Sequence, residues 1–281
     1  MALARSSSEI SYLLLDEAHD DRLLEEIDAA TALFRLYQGA IHLHRAESYL
    51  ITHLDVERRI ALARPVDVNY YTQTRELNDV HIIRSLDVQR LAATDVFFGR
   101  VRVAEQVIGF VRKARFTEEK LSEEPLDLPA TTFETQALWF QVPDRVADEV
   151  ARCGLDFAGG LHAVEHACIG MLPLFAMCDR NDIGGLSTPR HADTDRPQVF
   201  IYDAYPGGVG IARKGYELIE ALWGRTLETV RDCPCEEGCP SCIQSPNCGS
   251  NNEPLDKAAA VLILQRLTGG SDEPSSAGHQ F

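Results

Sequence analysis

Between Cys233 and Cys248 the chain reads CPCEEGCPSCIQSPNC, and five of its eight cysteines fall inside that stretch. Cys233, Cys235, Cys239 and Cys242 give C-x-C-x3-C-x2-C, and Cys248 follows after five intervening residues. Zinc takes four such thiolates in a tetrahedron, provided the chain bends sharply enough to bring them together. Gly238, Pro234 and Pro240 supply the bends. An all-thiolate set leaves no coordination position open, so the expected cofactor is a structural Zn2+ without catalytic duty. The first four cysteines are the more compact choice of ligands, with Cys248 as a substitute for one of them.

Two further motifs bear reactive groups. His162, Glu165 and His166 spell H-x-x-E-H, the inverted zinc-protease pattern, and helical spacing places the two histidines on one face. No third protein ligand is identifiable beside them, so a satisfied polar cluster is the plainer reading and a zinc-dependent hydrolase the alternative. In YDAYPGGVGIARKG a Pro-Gly-Gly turn precedes a helix, and the amides of Gly207 and Gly208 are expected to turn the chain and are candidates for holding one phosphate of a nucleic-acid backbone. The third glycine of a dinucleotide fingerprint is missing, because Arg213 stands there. Asp16-Glu17-Ala18-His19 spells the acidic motif of helicase motors, but the chain has no G-x-x-x-x-G-K-[ST] phosphate loop, so the match reads as a coincidental polar turn.

The elements that must position these groups divide by period. ISYLLLD reads as a buried strand and Arg22–Tyr37 as a helix. From residue 39 to 142 the period is two, in segments rich in Val, Ile, Tyr, Phe and Thr, as expected of antiparallel strands. The acidic, proline-containing segment 117–130 reads as a solvated loop. After Pro143 the pattern turns helical, with a short helix to Cys153 and a longer one over Leu161–Met177 that Pro173 must kink. A strand, the glycine turn and an amphipathic helix precede the cysteines, and Pro254 opens a last helix to Thr268. The fold class expected is α+β: an N-terminal antiparallel, β-barrel-like domain over residues 1–142, an α/β zinc-binding domain over 143–268, and a disordered tail over 269–281. Within the sheet, Arg100 and Arg102 alternate on one strand and Lys113 and Arg115 on the next, so a hairpin would gather four positive charges near Phe98 and Phe116, a candidate track for a nucleic-acid backbone.

A chain of 281 residues with 45% hydrophobic residues is long enough for two cored domains. No run approaches the ~18 apolar residues of a membrane span, and the start lacks the features of a signal peptide. A cytoplasmic location is therefore expected, where clustered cysteines bind metal rather than pair as disulfides. The net charge of −16 excludes a general nucleic-acid binder held by bulk charge, and leaves room for a local basic face or for an acidic protein-interaction platform that never touches nucleic acid.

Taken together, GAIHLHR, YYTQ, HAVEHA, CDRNDIGG, YDAYPGGVG and CPCEEGCPSC resemble the C-terminal region of the mitomycin repair factor A family, superfamily II DNA helicases with a cysteine-rich zinc-binding domain after their motor. The resemblance runs over about residues 10 to 268. It implies that the four cysteines bind zinc, that the region supports DNA binding and unwinding in DNA repair, and that the full-length protein is an ATP-dependent translocase. It also implies a partner, single-stranded DNA delivered by a helicase motor in cis or in trans. Both motor domains lie outside this sequence, so ATPase activity cannot be placed on its residues, and an accessory module is the expectation.

Overall fold

In the computed structural model, which describes residues 10–269, strand β1 (Ser11–Asp16) buries Tyr12, Leu14 and Asp16 and turns the alternate residues outward. The next strand, β2 (Arg22–Asp28), pairs antiparallel with it, setting Ile27 opposite Tyr12. This corrects the helix expected over Arg22–Tyr37. RLLEEID satisfies a helical stripe as well as an edge strand, and pairing with β1 decides between them. The helix α1 (Ala29–Arg35) starts only where Asp28 accepts the Ala30 N–H at 2.8 Å.

Three strands complete the first sheet: β3 (Ile41–His44), β4 (Glu47–Asp55) and β5 (Ile60–Pro65). Its order is β2-β1-β5-β4-β3, and the β1–β5 pair is parallel where an all-antiparallel sheet was expected. Leu14, Leu33, Leu36, Tyr37, Ile51 and Phe110 form its core. Asp16 is buried at the end of β1, where it accepts from Ala18 N–H, His19 and Arg22. The helicase-like tetrapeptide is thus a strand end closed by its own histidine.

Two strands then run far beyond the ordinary five or six residues: β6 (Tyr70–Arg90) with 21 residues and β7 (Asp95–Ala114) with 20. β8 (Lys120–Pro125) pairs with β7 and occupies the middle of the segment expected to be a loop. Lys120, Glu123 and Arg75 form ion pairs across it, so its acidic composition is the exposed face of an edge strand. After β9 (Thr131–Gln141) come α2 (Asp144–Arg152), α3 (Phe157–Met171), β10 (Ile183–Thr188), β11 (Gln198–Asp203), α4 (Ile211–Glu217), α5 (Ile219–Asp232) and α6 (Lys257–Leu267). The second sheet has the order β10-β11-β9-β7-β6, with β8 beside β7.

The chain divides into two compact units: one takes the described residues up to Leu77 together with Glu105–Thr131, the other Asn78–Ala104 with the described residues from Thr132 onward. Both long strands contribute to each, so the division does not fall at 142, and two sheets stand in place of one barrel. The mixed α and β composition is as expected. The tail expected over 269–281 lies, beyond Gly269, outside the described residues.

In the second unit β11 is buried along its whole length. Val199 and Ile201 face the helices, packing with Leu161, Val164, Trp223, Ile263 and Leu264, while Phe200 and Tyr202 join Val80, Val101, Val103 and Trp139 on the other face. The helix α3 begins at Asp156, which caps Ala158 N–H at 3.0 Å, so Gly159 and Gly160 lie inside it rather than before it. They serve packing: a Cβ at Gly160 would come 2.6 Å from Ala259 Cβ on α6. Pro173 ends α3 in a 3-10 turn at Leu172–Leu174. The last helix starts at Lys257, three residues after Pro254, capped by Asp256. Among the described residues no helix is long and apolar enough to cross a membrane.

Candidate metal centre

α5 ends at Asp232, and from Cys233 to Asp256 the chain is a succession of turns with no regular element. What shapes it is local. Gly238 has φ 118, and any Cβ there would collide with the buried side chain of Ile243. The amides of Cys242, Ile243 and Gln244 all converge on Cys239 O. Lys257, the first residue of α6, donates from Nζ to the carbonyls of Cys233 at 2.7 Å and Cys235 at 2.5 Å. Ile243 is fully buried in the helical core, so the cysteine loop is pinned at both ends and in the middle.

The four sulfurs of Cys233, Cys235, Cys239 and Cys242 all lie within 4.8 Å of one another. Cys233 Sγ is 3.6 Å from Cys239 Sγ, Cys235 Sγ 3.5 Å from Cys242 Sγ, and Cys239 Sγ 3.8 Å from Cys242 Sγ. A tetrahedron with zinc–sulfur bonds of about 2.3 Å has edges of about 3.8 Å, so the spacing fits that ion and is far too wide for disulfides at ~2.05 Å. The Cys239 N–H points at Cys242 Sγ at 3.3 Å, a donor aimed at a ligand thiolate. The hydrogen bond from the Ser241 amide brings the Cys239 thiol down to about 7. The donor set and its geometry both fit zinc.

Cys248 stands with different company. It groups with His162 and His166 of α3, all three ligand atoms within 4.8 Å of one another. The ring centroids of the two histidines are 4.2 Å apart, as their spacing of one helical turn requires. His162 Nδ1 donates to Pro254 O at 2.8 Å and His166 Nδ1 to Ile243 O at 2.9 Å, which turns both Nε2 atoms toward Cys248. Cys248 Sγ lies 3.5 Å from His162 Nε2 and receives the Asn252 N–H at 3.2 Å, with Ser250 Oγ also at 3.2 Å. Burial opposes charge on the pair, but their mutual hydrogen bond carries Cys248 down to about 5 and His162 up to about 9. Glu165, on the same turn, is buried, and that burial pushes its carboxyl above the usual range. It fits there because β10 offers Gly185, whose Cβ would stand 2.6 Å from Glu165 Oε1. The third partner missing from the H-x-x-E-H motif is therefore Cys248, 82 residues beyond His166 in the numbering. A leftover fifth cysteine was the signal for it.

A third grouping, in the first unit, sets Glu25 Oε2 3.0 Å from His42 Nε2 and 3.4 Å from His44 Nδ1. Arg35 already approaches the other carboxylate oxygen at 3.4 Å, so a cation there would compete with a guanidinium.

The residues expected to meet nucleic acid are brought together only in part. β7 is a single strand, so the hairpin expected to gather Arg100, Arg102, Lys113 and Arg115 does not form. Arg100 and Arg102 belong to the second unit, and Lys113 and Arg115 to the first. Arg100 and Arg102 lie two apart on one face of β7, half exposed, and both bond Glu134 of β9 at 2.6 and 3.0 Å. Gly207 reaches the same strand, donating its N–H to Glu134 O at 2.7 Å. Arg115 bonds Ser48 Oγ at 3.0 Å; Phe116 beside it is almost wholly exposed, whereas Phe98 is buried.

In the glycine turn, Gly207, Gly208 and Gly210 adopt φ of 81, 78 and 92, which only glycine holds at no cost. Their amides do not stand open for a phosphate. Gly208 N–H goes to Tyr205 O, and the buried carboxylate of Asp203 accepts Val209 N–H at 2.5 Å, Gly210 N–H at 2.7 Å and Ala212 N–H at 2.6 Å. The anion at this helix start is the protein's own, supplied by the last residue of β11.

Residues 164–243 match the family described as MrfA Zn-binding domain, a span that holds Glu165, His166 and all four clustered cysteines. An uncharacterized ATP-dependent helicase of Bacillus subtilis, YprA, is 30% identical over 244 residues, covering 85% of this chain and 32% of that protein. An uncharacterized protein of Methanocaldococcus jannaschii is 43% identical over 110 residues, 38% of this chain and 98% of that one. The crystal structure of the DUF1998 helicase MrfA bound to DNA superposes with a TM-score of 0.60 at 26% identity, covering 94% of this chain and 34% of that one. The chain spans between a quarter and a third of the length of the curated helicases it matches. On the strength of the matching zinc-binding segment and of a fold shared over nearly its whole length, the chain belongs to the MrfA helicase family, as its C-terminal zinc-binding region.

Proposed function

We propose that this chain is the non-motor module of an ATP-dependent superfamily II DNA helicase, supporting DNA binding and unwinding in DNA repair from a reducing, cytoplasmic setting. The observation that carries the reading is the tetrahedral spacing of Cys233, Cys235, Cys239 and Cys242 inside the segment that matches the MrfA Zn-binding domain. Zinc bound there supplies a closed, redox-inert crosslink with no open coordination position, which is a structural duty. The protein's own residues do the rest: Lys257 ties the loop to α6, Ile243 anchors it in the core, and Gly238 lets the chain pass.

The strand-facing surface is assigned to Arg100 and Arg102 on β7, with the Gly207-Gly208 turn lying beside them through the Glu134 backbone. One carboxylate between two guanidiniums leaves a net positive charge, and a phosphate would compete with Glu134 for the same donors. The glycine turn contributes a surface on which a strand can lie, since its amides are engaged within the protein. Lys113, Arg115 and the exposed Phe116 form a separate candidate contact, where an aromatic face next to cations suits base stacking. The DNA-bound MrfA structure supports a nucleic-acid reading of this fold.

The test is binding of a fluorescent single-stranded oligonucleotide to the zinc-loaded chain together with its motor, as a function of salt. Arg100→Glu with Arg102→Glu is expected to weaken binding and to reduce the log–log salt slope by about 1.4, at about 0.7 for each lost phosphate contact. Lys113→Glu with Arg115→Glu tests the second contact separately. Unchanged affinity and slope in both double variants overturns the nucleic-acid role of these faces, and favours a protein-interaction platform built on the acidic surface.

A further inference from the structure

We propose that His162, His166 and Cys248 form a second metal site in this chain, taking zinc or a similar borderline-soft divalent cation on three protein ligands, with the fourth position left to water or an exogenous donor. Protons and electron pairs at this point fall out of balance without a cation. Each histidine faces a backbone carbonyl with Nδ1, and a carbonyl only accepts, so both Nδ1 atoms carry a hydrogen and Nε2 is the ligating atom left to each ring. Both Nε2 atoms converge on one sulfur, which itself receives the Asn252 N–H, and a single proton is shared there whether it sits on the sulfur or on His162 Nε2. Three electron-pair donors thus share at most one proton at a half-buried to buried position, and a cation at their centre satisfies all three.

The distances agree with that reading. With zinc–nitrogen bonds of about 2.05 Å and zinc–sulfur bonds of about 2.3 Å, a tetrahedral N···S edge is about 3.6 Å; Cys248 Sγ to His162 Nε2 is 3.5 Å. The outer contacts are those of ligated histidines, each ring oriented by a carbonyl through its other nitrogen. Those two carbonyls, of Ile243 and Pro254, flank the loop that carries Cys248, so the site staples the segment after the cysteine cluster onto α3. The grouping takes in no fourth Cys, His or carboxylate among the described residues, and Glu165 stands beside it without joining. Three protein ligands and a vacant fourth position distinguish this site from the closed four-sulfur one.

Metal analysis of the zinc-reconstituted, desalted chain tests this. Two equivalents of zinc per chain are expected, falling to one in Cys248→Ser and in His166→Ala while the four-sulfur site keeps its ion, and falling to one in Cys239→Ser by loss of the other. Cobalt substitution gives an independent readout that needs no variant: the open site is expected to change its visible spectrum on adding imidazole, and the closed site not to. Zinc is also expected to protect Cys248 from iodoacetamide. One equivalent in the wild-type chain, two retained in Cys248→Ser, or rapid alkylation of Cys248 in the zinc-loaded protein overturns the proposal and leaves a thiolate–imidazolium pair in its place.

Discussion

Replacing Asp203 should unfasten the second unit at one point, and the size of the effect follows from the geometry. Asp203 is fully buried at the end of β11, and its two carboxylate oxygens accept three backbone N–H groups from the turn and first residues of α4, at 2.5 to 2.7 Å. The residue at the helix N-cap is Gly210, which has no side chain to cap with, so Asp203 performs that duty from the neighbouring strand. A hydrogen bond to a charged acceptor contributes about 1.5–3 kcal/mol, and a buried donor left unpaired costs a similar amount. Three bonds to one carboxylate are not additive, so Asp203→Ala is expected to cost about 3–5 kcal/mol. Asp203→Asn keeps one oxygen and turns an NH2 toward N–H donors. With its oxygen on Val209 and Gly210 it still sets two donors against each other at Ala212, at a cost of about 2–4 kcal/mol. Both tryptophans, Trp139 and Trp223, are in the second unit, so their fluorescence in urea with excess zinc reports that unit alone. An Asp203→Ala midpoint corresponding to less than about 1 kcal/mol at unchanged m-value would refute the claim that this carboxylate organises the turn.

Two other perturbations follow from equally local geometry. Gly160→Val should cost about 1–3 kcal/mol by the same fluorescence assay, because its Cβ would meet Ala259 Cβ at 2.6 Å and Ile263 Cδ1 at 3.0 Å, contacts that outweigh any gain in helix propensity. A variant as stable as the parent would show that α3 and α6 are not packed this closely. In the first unit, burial holds the His42 imidazole below its ordinary value while the bond to Glu25 works against that shift, with Arg35 and His44 also facing it. The unfolded chain takes up this proton near pH 6.5 and the folded one only lower. The contribution is therefore complete above pH 6.5 and is lost as pH falls through the folded value. His42→Gln should flatten the fall in stability of the first unit below pH 6.5, followed by backbone hydrogen exchange; a slope identical to the parent's counts against a buried neutral His42.

Much of this protein is legible in its sequence because the relevant signals are local. Four cysteines within ten positions, with Gly238, Pro234 and Pro240 between them, have few ways to lie other than around one ion, and the structure spaces their sulfurs for it. Alternation of β-branched and aromatic residues marked most of the strands, and Pro173 marked the end of α3. What the sequence left open depends on partners far away in the chain. RLLEEID became β2 only because β1 was there to pair with it, and of the residues thought to meet in a hairpin, Arg100, Arg102 and Lys113 were distributed along one 20-residue strand with Arg115 just past its end. No local pattern says that Asp203 will fill the amides of its own turn, or that Cys248 will leave the neighbouring four-sulfur cluster for two histidines on α3. Short-range spacing determines which residues can share an ion or a turn, since a few bonds fix their reach. Long-range pairing is decided by burial and by the satisfaction of backbone donors and acceptors, which exist only once the sheets and helices have packed.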